Sequence, residues 1–379
     1  MIYLDNASTT WPKPETVTRE TQRFLAEDAA NPGRGGHRMS LRAGRLVEEV
    51  RSRLTRFIDG EDHRRLIFTL NCTDALNMAI KGCLKQGDHV ITTVLEHNSV
   101  LRPLRGLADA RVIEMDCVPM SGEGFIDPQA VAAAWRPNTR LVALNHASNV
   151  LGTLQPIEEV GRLVRQRGGL FLVDAAQSIG VVDISVRRMN IDLLAFSGHK
   201  ELLAPMGTGG LYVSPRVSMR PWREGGTGGD SLSARHPEEW PTFLEAGTAN
   251  AVGIAGLGAG LDFVQRRGSG ALLAHARRLV QRLADQLRDD PRFVVHGPAG
   301  GDGRVGVLSL SVVEMESEEV AAVLDESFDI AVRAGLHCAP LVHQALGTAP
   351  GGTVRVSVGP FNTLEDIDAV VGALRRMAT

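Results

Sequence analysis

Between residues 64 and 214 the chain alternates short, largely apolar runs with stretches of helical periodicity. Arg65–Leu70 (RLIFTL), His89–Val94 (HVITTV), Arg111–Cys117 (RVIEMDC) and Arg140–His146 (RLVALNH) read as strands. So do Gly169–Ala175 (GLFLVDA), Leu193–Ser197 (LLAFS) and Gly209–Ser214 (GGLYVS). Helices are expected over Thr73–Lys85, Ser99–Leu107, Pro128–Trp135 and Pro156–Arg167, the last with proline in its first turn. A strand with one face in water alternates polar and apolar residues, whereas one apolar throughout is covered on both faces. Such strands, interleaved with helices, predict an α/β fold built on a mostly parallel seven-stranded sheet.

From about Ala251 the pattern changes. Helical stretches over Ala251–Arg267 and Leu272–Arg288 lead to strands at Phe293–His296, Val305–Val312 and Thr353–Val358, with helices near Ser317–Glu326 and Thr363–Met377. This α+β layout, in a chain of 379 residues, predicts two domains. We expect a large domain over 15–259 and a smaller α+β domain formed by 1–14 with 260–379.

Charge excludes some classes of function. Lys and Arg number 41 against 44 Asp and Glu, a formal net charge of −3, so no nucleic acid or anionic membrane partner is expected. Met1 leads directly into Ile2-Tyr3-Leu4 without a basic and then apolar leader, and no apolar run approaches the ~18 residues of a membrane span. The expected location is cytoplasmic. Cys72, Cys83, Cys117 and Cys338 form no C-x-x-C pair, so reduced thiols and no metal centre are expected.

In an open α/β sheet, ligands sit outside the carboxyl ends of the strands. Polar groups recur there: Asn71-Cys72-Thr73 after RLIFTL, Glu96-His97 after HVITTV, and Ser148-Asn149 after RLVALNH. Asp174-Ala175-Ala176-Gln177 follows LFLV, and Ser197-Gly198-His199-Lys200 follows LLAF. Taken singly, each also fits an ordinary role: a surface lysine, a buried ion pair or cap at Asp174, an N-cap at Thr73, a structural histidine at His97. Together they suit one chemistry. A buried, desolvated Lys200 has a lowered pKa and can form a Schiff base with an aldehyde. Asp174 ends an apolar strand and needs a cationic or hydrogen-bonded partner, and a pyridinium nitrogen is one. Thr73 opens a helix whose free N–H groups favour a phosphate, with Ser197 and His199 as further donors.

With YLDNASTT, NCTDALNMAI, LEHNSVL, ASNVLGTLQPI, VDAAQSIG, SGHK, FLEAGTANAVGIAGL, RAGLHCAP and TVRVSVGPFNT, the chain resembles fold-type I pyridoxal 5′-phosphate enzymes of aminotransferase class V. It is most similar to the cysteine desulfurase group. The resemblance implies that Lys200 holds the cofactor aldehyde, Asp174 the pyridinium and Gln177 the ring hydroxyl, while His97 stacks on the ring. It further implies phosphate contacts from Cys72, Thr73, Ser197 and His199. Thr248 would reach the phosphate of a second subunit, implying a homodimer. Asn149 and Arg355 would bind the substrate carboxylate, the arginine by its fork.

Cys338 lies where that group carries its sulfur-accepting cysteine, with His337 and Arg333 expected to favour the thiolate. The compact R-x-G-x-H-C-A form resembles the second desulfurase group, which also contains selenocysteine lyase-like members. The implied activity is conversion of L-cysteine, or a related sulfur or selenium amino acid, to L-alanine, with sulfur passed to Cys338 as a persulfide and on to an acceptor protein. Other class V activities keep the same site: selenocysteine lyase, cysteine sulfinate desulfinase, C–S lyase, epimerase or aminotransferase. A catalytically silent subunit would lack Lys200 or Arg355, and both are present. In one place the chain departs from the second group, because 227–244 is short and polar where those enzymes carry a longer hairpin.

Overall fold

A computed structural model describes residues 1–33, 35–228 and 232–378. The chain begins with β1 (Ile2–Tyr3), α1 (Glu15–Glu27) and α2 (Arg38–Phe57). Strands and helices then alternate: β2 (Leu66–Thr69), α3 (Cys72–Cys83), β3 (Asp88–Thr93), α4 (Asn98–Asp109), β4 (Ile113–Val118) and α5 (Pro128–Ala133). β5 (Thr139–Asn145), α6 (Ile157–Gln166), β6 (Leu170–Asp174), β7 (Leu193–Ser197) and β8 (Gly209–Val213) complete this part. After it come α7 (Ala251–Arg267), α8 (Ser269–Leu287), β9 (Phe293–Val295), β10 (Val307–Val312), α9 (Ser317–Phe328) and β11 (Ile330–Ala331). The last elements are α10 (Pro340–Leu346), β12 (Val354–Ser357) and α11 (Leu364–Met377).

The seven strands predicted from apolar runs form one sheet in the order β2-β8-β7-β6-β5-β3-β4. It is mostly parallel, as expected; β8 alone runs against its neighbours β7 and β2. Every residue of β3, β6, β7 and β8 is buried, because helices cover both faces. The edge strand β4 keeps Glu114 and Cys117 exposed, which explains the mixed character of RVIEMDC. The other sheets are smaller: antiparallel β12-β10-β9 and a parallel pair of β1 with β11. Through that pair, and a bridge from Asp5 to Ser357, the amino terminus joins the carboxyl-terminal part of the chain. Among the described residues no helix is long and apolar enough to cross a membrane.

Helices α1 and α2 were not anticipated from the sequence, although their signal is present. Ala43, Val47, Val50 and Leu54 are buried along α2 at spacings of four, three and four, the stripe of a helix packed on one side. Both helices pack on α7, whose AVGIAGLGAGLDF segment is rich in small residues. There the backbone of the loop after Lys200 comes close: a Cβ on Gly260 would collide with the carbonyl oxygen of Leu202.

The small residue at 260 therefore sets how closely α7 approaches the Lys200 loop. Gly260→Ala is expected to cost roughly 1–3 kcal/mol through overpacking, read as a lowered denaturant midpoint. Gly372→Ala, on α11 with open space around it, is expected to be neutral or stabilising by up to about 1 kcal/mol.

Candidate active site

The register of the sheet places the predicted strand-end groups side by side. Asn145, last in β5, is paired with Asp174, last in β6, and Asp174 with Ala195 of β7. Ser197 ends β7 opposite Gly209 of β8. A Cβ on Gly209 would lie 2.7 Å from the carbonyl carbon of Asn71 and 2.8 Å from Phe196 O, so glycine at this position lets the start of α3 and strand β7 both come close to β8. A cavity of about 110 Å³ opens at this edge. Its lining includes Cys72, Thr73, His97, Asn149, Asp174, Gln177, Ser197, His199 and Lys200. Nine of the twelve side chains singled out from the sequence thus meet around one space.

Burial pushes the Lys200 amine down from its ordinary pKa, and the Asp174 carboxylate opposes this. Asp174 is itself held in place: Oδ1 accepts from the Cys72 thiol at 3.3 Å and from Ala176 N–H at 2.9 Å. Burial, reinforced by Asp174, raises the Cys72 thiol well above its usual range, which makes it a protonated donor rather than a nucleophile. Gln177 donates Nε2 to Ala7 O at 3.0 Å, and its buried Oε1 has no protein partner. His97 caps α4, its Nδ1 accepting from Ser99 N–H at 3.0 Å. The ring proton of neutral His97 therefore sits on Nε2, and burial pushes the pKa down to about 4. His199 is also held near 4 by burial, with Nδ1 unpartnered. Thr73 shares a 2.7 Å hydrogen bond with Ser99, while Asn71 caps α3 through Asp74 N–H at 2.9 Å.

Cys338 and Arg355 lie outside this lining but are tied to it. Asn149 Nδ2 donates to His337 O at 2.7 Å, and Asn149 O accepts from Arg355 Nη1 at 3.1 Å. Asn98 N–H, next to His97, donates to Cys338 O at 2.7 Å. Gly335 pairs with Thr353 through both backbone groups. The Cys338 loop is short and pinned at each of these points, with His337 and Cys338 both at positive φ (49° and 59°). The thiol is exposed. Arg333 Nη2 stands 3.7 Å from its sulfur.

His337 does not act on that sulfur as the sequence suggested. Its ring turns inward, with Nε2 within 3.1 Å of Thr353 O, and burial pushes its pKa down to about 2. It is therefore neutral, and Arg333 is the cation at the thiol. Thr248 is exposed and lines a different cavity, about 630 Å³, with Arg51, Glu245 and Gly209. There Arg51, fully buried, forks onto Glu245 at 2.6 and 2.9 Å, just ahead of Thr248 in the chain. Of the short 227–244 stretch, residues 229–231 lie outside the described residues. Its end packs through Phe243 and Leu244, with Arg65 over the Trp240 ring at 4.0 Å. Asp5 and Ser8 had no role in the sequence account, yet both touch Arg355, at 2.8 and 2.9 Å. The YLDNASTT string carried that signal only as a family pattern.

The model of the family described as Aminotransferase class-V matches residues 2–370. A probable cysteine desulfurase of Methanothermobacter thermautotrophicus is 36% identical, covering all of this chain and 94% of that protein. A cysteine desulfurase of Salmonella dublin is 32% identical, covering all of this chain and 93% of its own length. Among solved structures, the apo cysteine desulfurase of Thermococcus onnurineus superposes with a TM-score of 0.93. Its identity is 34%, over 100% of this chain and 94% of the other. The Escherichia coli cysteine desulfurase CsdA, as its S-sulfonic acid, gives 0.89 at 29% identity, covering 99% and 94%.

The buried histidines give the apoprotein a pH signature. His97, His146, His199 and His343 are each pushed to about 4 by burial, and His337 to about 2, against ~6.5 unfolded. As pH falls through 6.5, the unfolded chain takes up these protons and the folded chain does not, so stability drops. Two buried carboxyls act oppositely, Glu96 raised to about 8 and Glu201 to about 7; the folded state holds their protons earlier. The histidines outnumber them, so thermal melts should fall steadily from pH 6.5 to 4.5. A flat or rising profile would contradict this burial pattern.

Proposed function

The chain belongs to the aminotransferase class V family, and on that premise we propose that it is a pyridoxal phosphate-dependent cysteine desulfurase. The cavity suits that cofactor by its donor set. It brings together a desolvated lysine, a carboxylate with one oxygen already engaged, and a helix start. Gln177 Oε1 and His199 Nδ1 are buried and lack protein partners, as expected of atoms that meet a polar ligand. Lys200 would take the aldehyde, Asp174 the ring nitrogen and Gln177 the ring hydroxyl. His97 would lie against the ring, and Thr73, Ser197, His199 and the backbone at Cys72 would hold the phosphate. When bound, the cofactor supplies an electron sink for the pair released at the substrate's Cα.

The protein's own groups perform the rest. Because burial favours the neutral amine of Lys200, Nζ can remove the Cα proton and return one. Asn149 and Arg355 receive the substrate carboxylate; the buried Arg355 Nε has no protein acceptor and is free to donate to it. His97, with its proton on Nε2, would be a donor in the lining of the Lys200 cavity. Cys338, with Arg333 Nη2 at 3.7 Å from its sulfur, attacks the substrate sulfur. The sulfur–sulfur bond forms as the Cβ–S bond breaks, its electron pair goes to carbon, and protonation there completes alanine. In sum, L-cysteine and the Cys338 thiol give L-alanine and the Cys338 persulfide. The observation that carries this function is the exposed Cys338 thiol, paired with Arg333 and pinned by Asn149 and Asn98 to the Lys200 cavity.

The same proposal includes a homodimer in which Thr248 serves the partner's phosphate, supported by its exposure and its place in a cavity apart from Lys200. It also includes the division into 15–259 and 1–14 with 260–379, which the separate sheets support. A sulfur-acceptor protein would reach the persulfide at the exposed Cys338.

Cys338→Ala is expected to lower alanine release from L-cysteine by at least roughly 100-fold. The pyridoxal phosphate absorbance of the holoenzyme should stay unchanged. Full-rate turnover of L-cysteine by Cys338→Ala would remove the thiol from the mechanism.

A further inference from the structure

The hydroxyl of Ser8 is shared by the two arginines of this site. Its Oγ accepts from Arg333 Nη1 at 2.9 Å and from Arg355 Nη2 at 2.9 Å, and it donates to Asp5 Oδ1 at 2.8 Å. A hydroxyl has one proton to give and two lone pairs to accept with, so Ser8 is fully used. Arg355 Nη2 also reaches Asp5 Oδ1 at 2.8 Å, while Arg333 Nη2 faces the Cys338 sulfur at 3.7 Å. An unbroken chain of contacts therefore runs Arg355–Ser8–Arg333–Cys338. The two residues are paired through their backbones, Arg333 N–H to Arg355 O at 3.2 Å and Arg355 N–H to Arg333 O at 2.7 Å; the Ser8 oxygen and the Asp5 carboxylate then bridge the mutually repelling guanidinium heads.

We propose that Ser8 is a positioning residue that couples the carboxylate-binding arginine, Arg355, to the placement of Arg333 beside the Cys338 sulfur. A substrate carboxylate arriving at Arg355 competes with Asp5 and Ser8 for the same guanidinium. Any shift there is transmitted through the shared hydroxyl to Arg333. Ser8 Oγ bonds Asp5 and the two arginines, and it is through the arginines that it acts. The inference rests on the desulfurase function proposed above for its meaning in turnover, but its geometry is independent of it.

The test uses the holoenzyme as wild type, Ser8→Ala and Ser8→Thr. The first readout is the rate at which iodoacetamide alkylates Cys338 at fixed pH, followed by mass spectrometry of its peptide with exposed Cys117 as internal reference. The second is kcat/KM for L-cysteine and for L-cysteine sulfinate, whose sulfur leaves as sulfur dioxide, hydrated by water to sulfite, without a thiol acceptor. Ser8→Ala is expected to slow alkylation of Cys338 about tenfold, the effect of one hydrogen bond to a charged group. It should lower kcat/KM for L-cysteine similarly while sparing L-cysteine sulfinate, and Ser8→Thr should restore both. If Ser8→Ala fails to fold, Ser8→Gly removes the same hydroxyl and is held to the same outcomes. Wild-type alkylation by the hydroxyl-free variant, or equal losses on both substrates, overturns the proposal. A wild-type enzyme that releases no alanine from L-cysteine overturns the desulfurase function instead, and leaves the alkylation result to decide the role of Ser8.

Discussion

The structure turns on the electrostatic influence of a fixed carboxylate on a desolvated lysine at the carboxyl edge of a sheet buried on both faces. Burial drives the Lys200 amine toward its neutral form and Asp174 pulls it back. That balance leaves an amine able to bond an aldehyde while a negative charge stays close by. Asp174 keeps its place because Cys72 and Ala176 N–H hold Oδ1, so the start of α3 and the end of β6 are tied through a thiol. The helices that cover the sheet create the low-dielectric surroundings on which both effects depend.

Around that pair, the molecule joins distant parts of the chain. β1 pairs with β11, and Asp5 reaches Arg355 across 350 positions. Asn149, at the loop after β5, holds both the His337 carbonyl and the Arg355 guanidinium. The thiol loop is thus built by the carboxyl-terminal part of the chain and fastened to the Lys200 cavity by the large sheet's loops. Its rigidity comes from backbone hydrogen bonds on both flanks, while the sulfur itself stays exposed.

The architecture was legible where a single periodicity decides it. Runs such as LFLV and LLAF can only be strands covered on both faces, and their polar followers fall at one edge by topology alone. For that reason Lys200, Asp174, Gln177, His97 and Ser197 could be placed before any coordinates. The arrangement around Cys338 was not legible in this way. His337 adjoins Cys338 in sequence, yet its ring points inward to Thr353 while the Cys338 sulfur faces Arg333, and both residues sit at positive φ. Ser8 and Asp5 meet Arg355 only after the termini come together, and no local pattern encodes that meeting. The stripe on α2 is present in the sequence as Ala43, Val47, Val50 and Leu54, but it stands ahead of the strand–helix alternation that marks the sheet.

The claim on which all else depends is that Lys200, rather than Lys13, Lys81 or Lys85, bonds the cofactor aldehyde. Loading the protein with pyridoxal phosphate, reducing with borohydride and mapping the peptides decides this directly. The phosphopyridoxyl group is expected on Lys200 alone. Labelling elsewhere, or none at all, would contradict it.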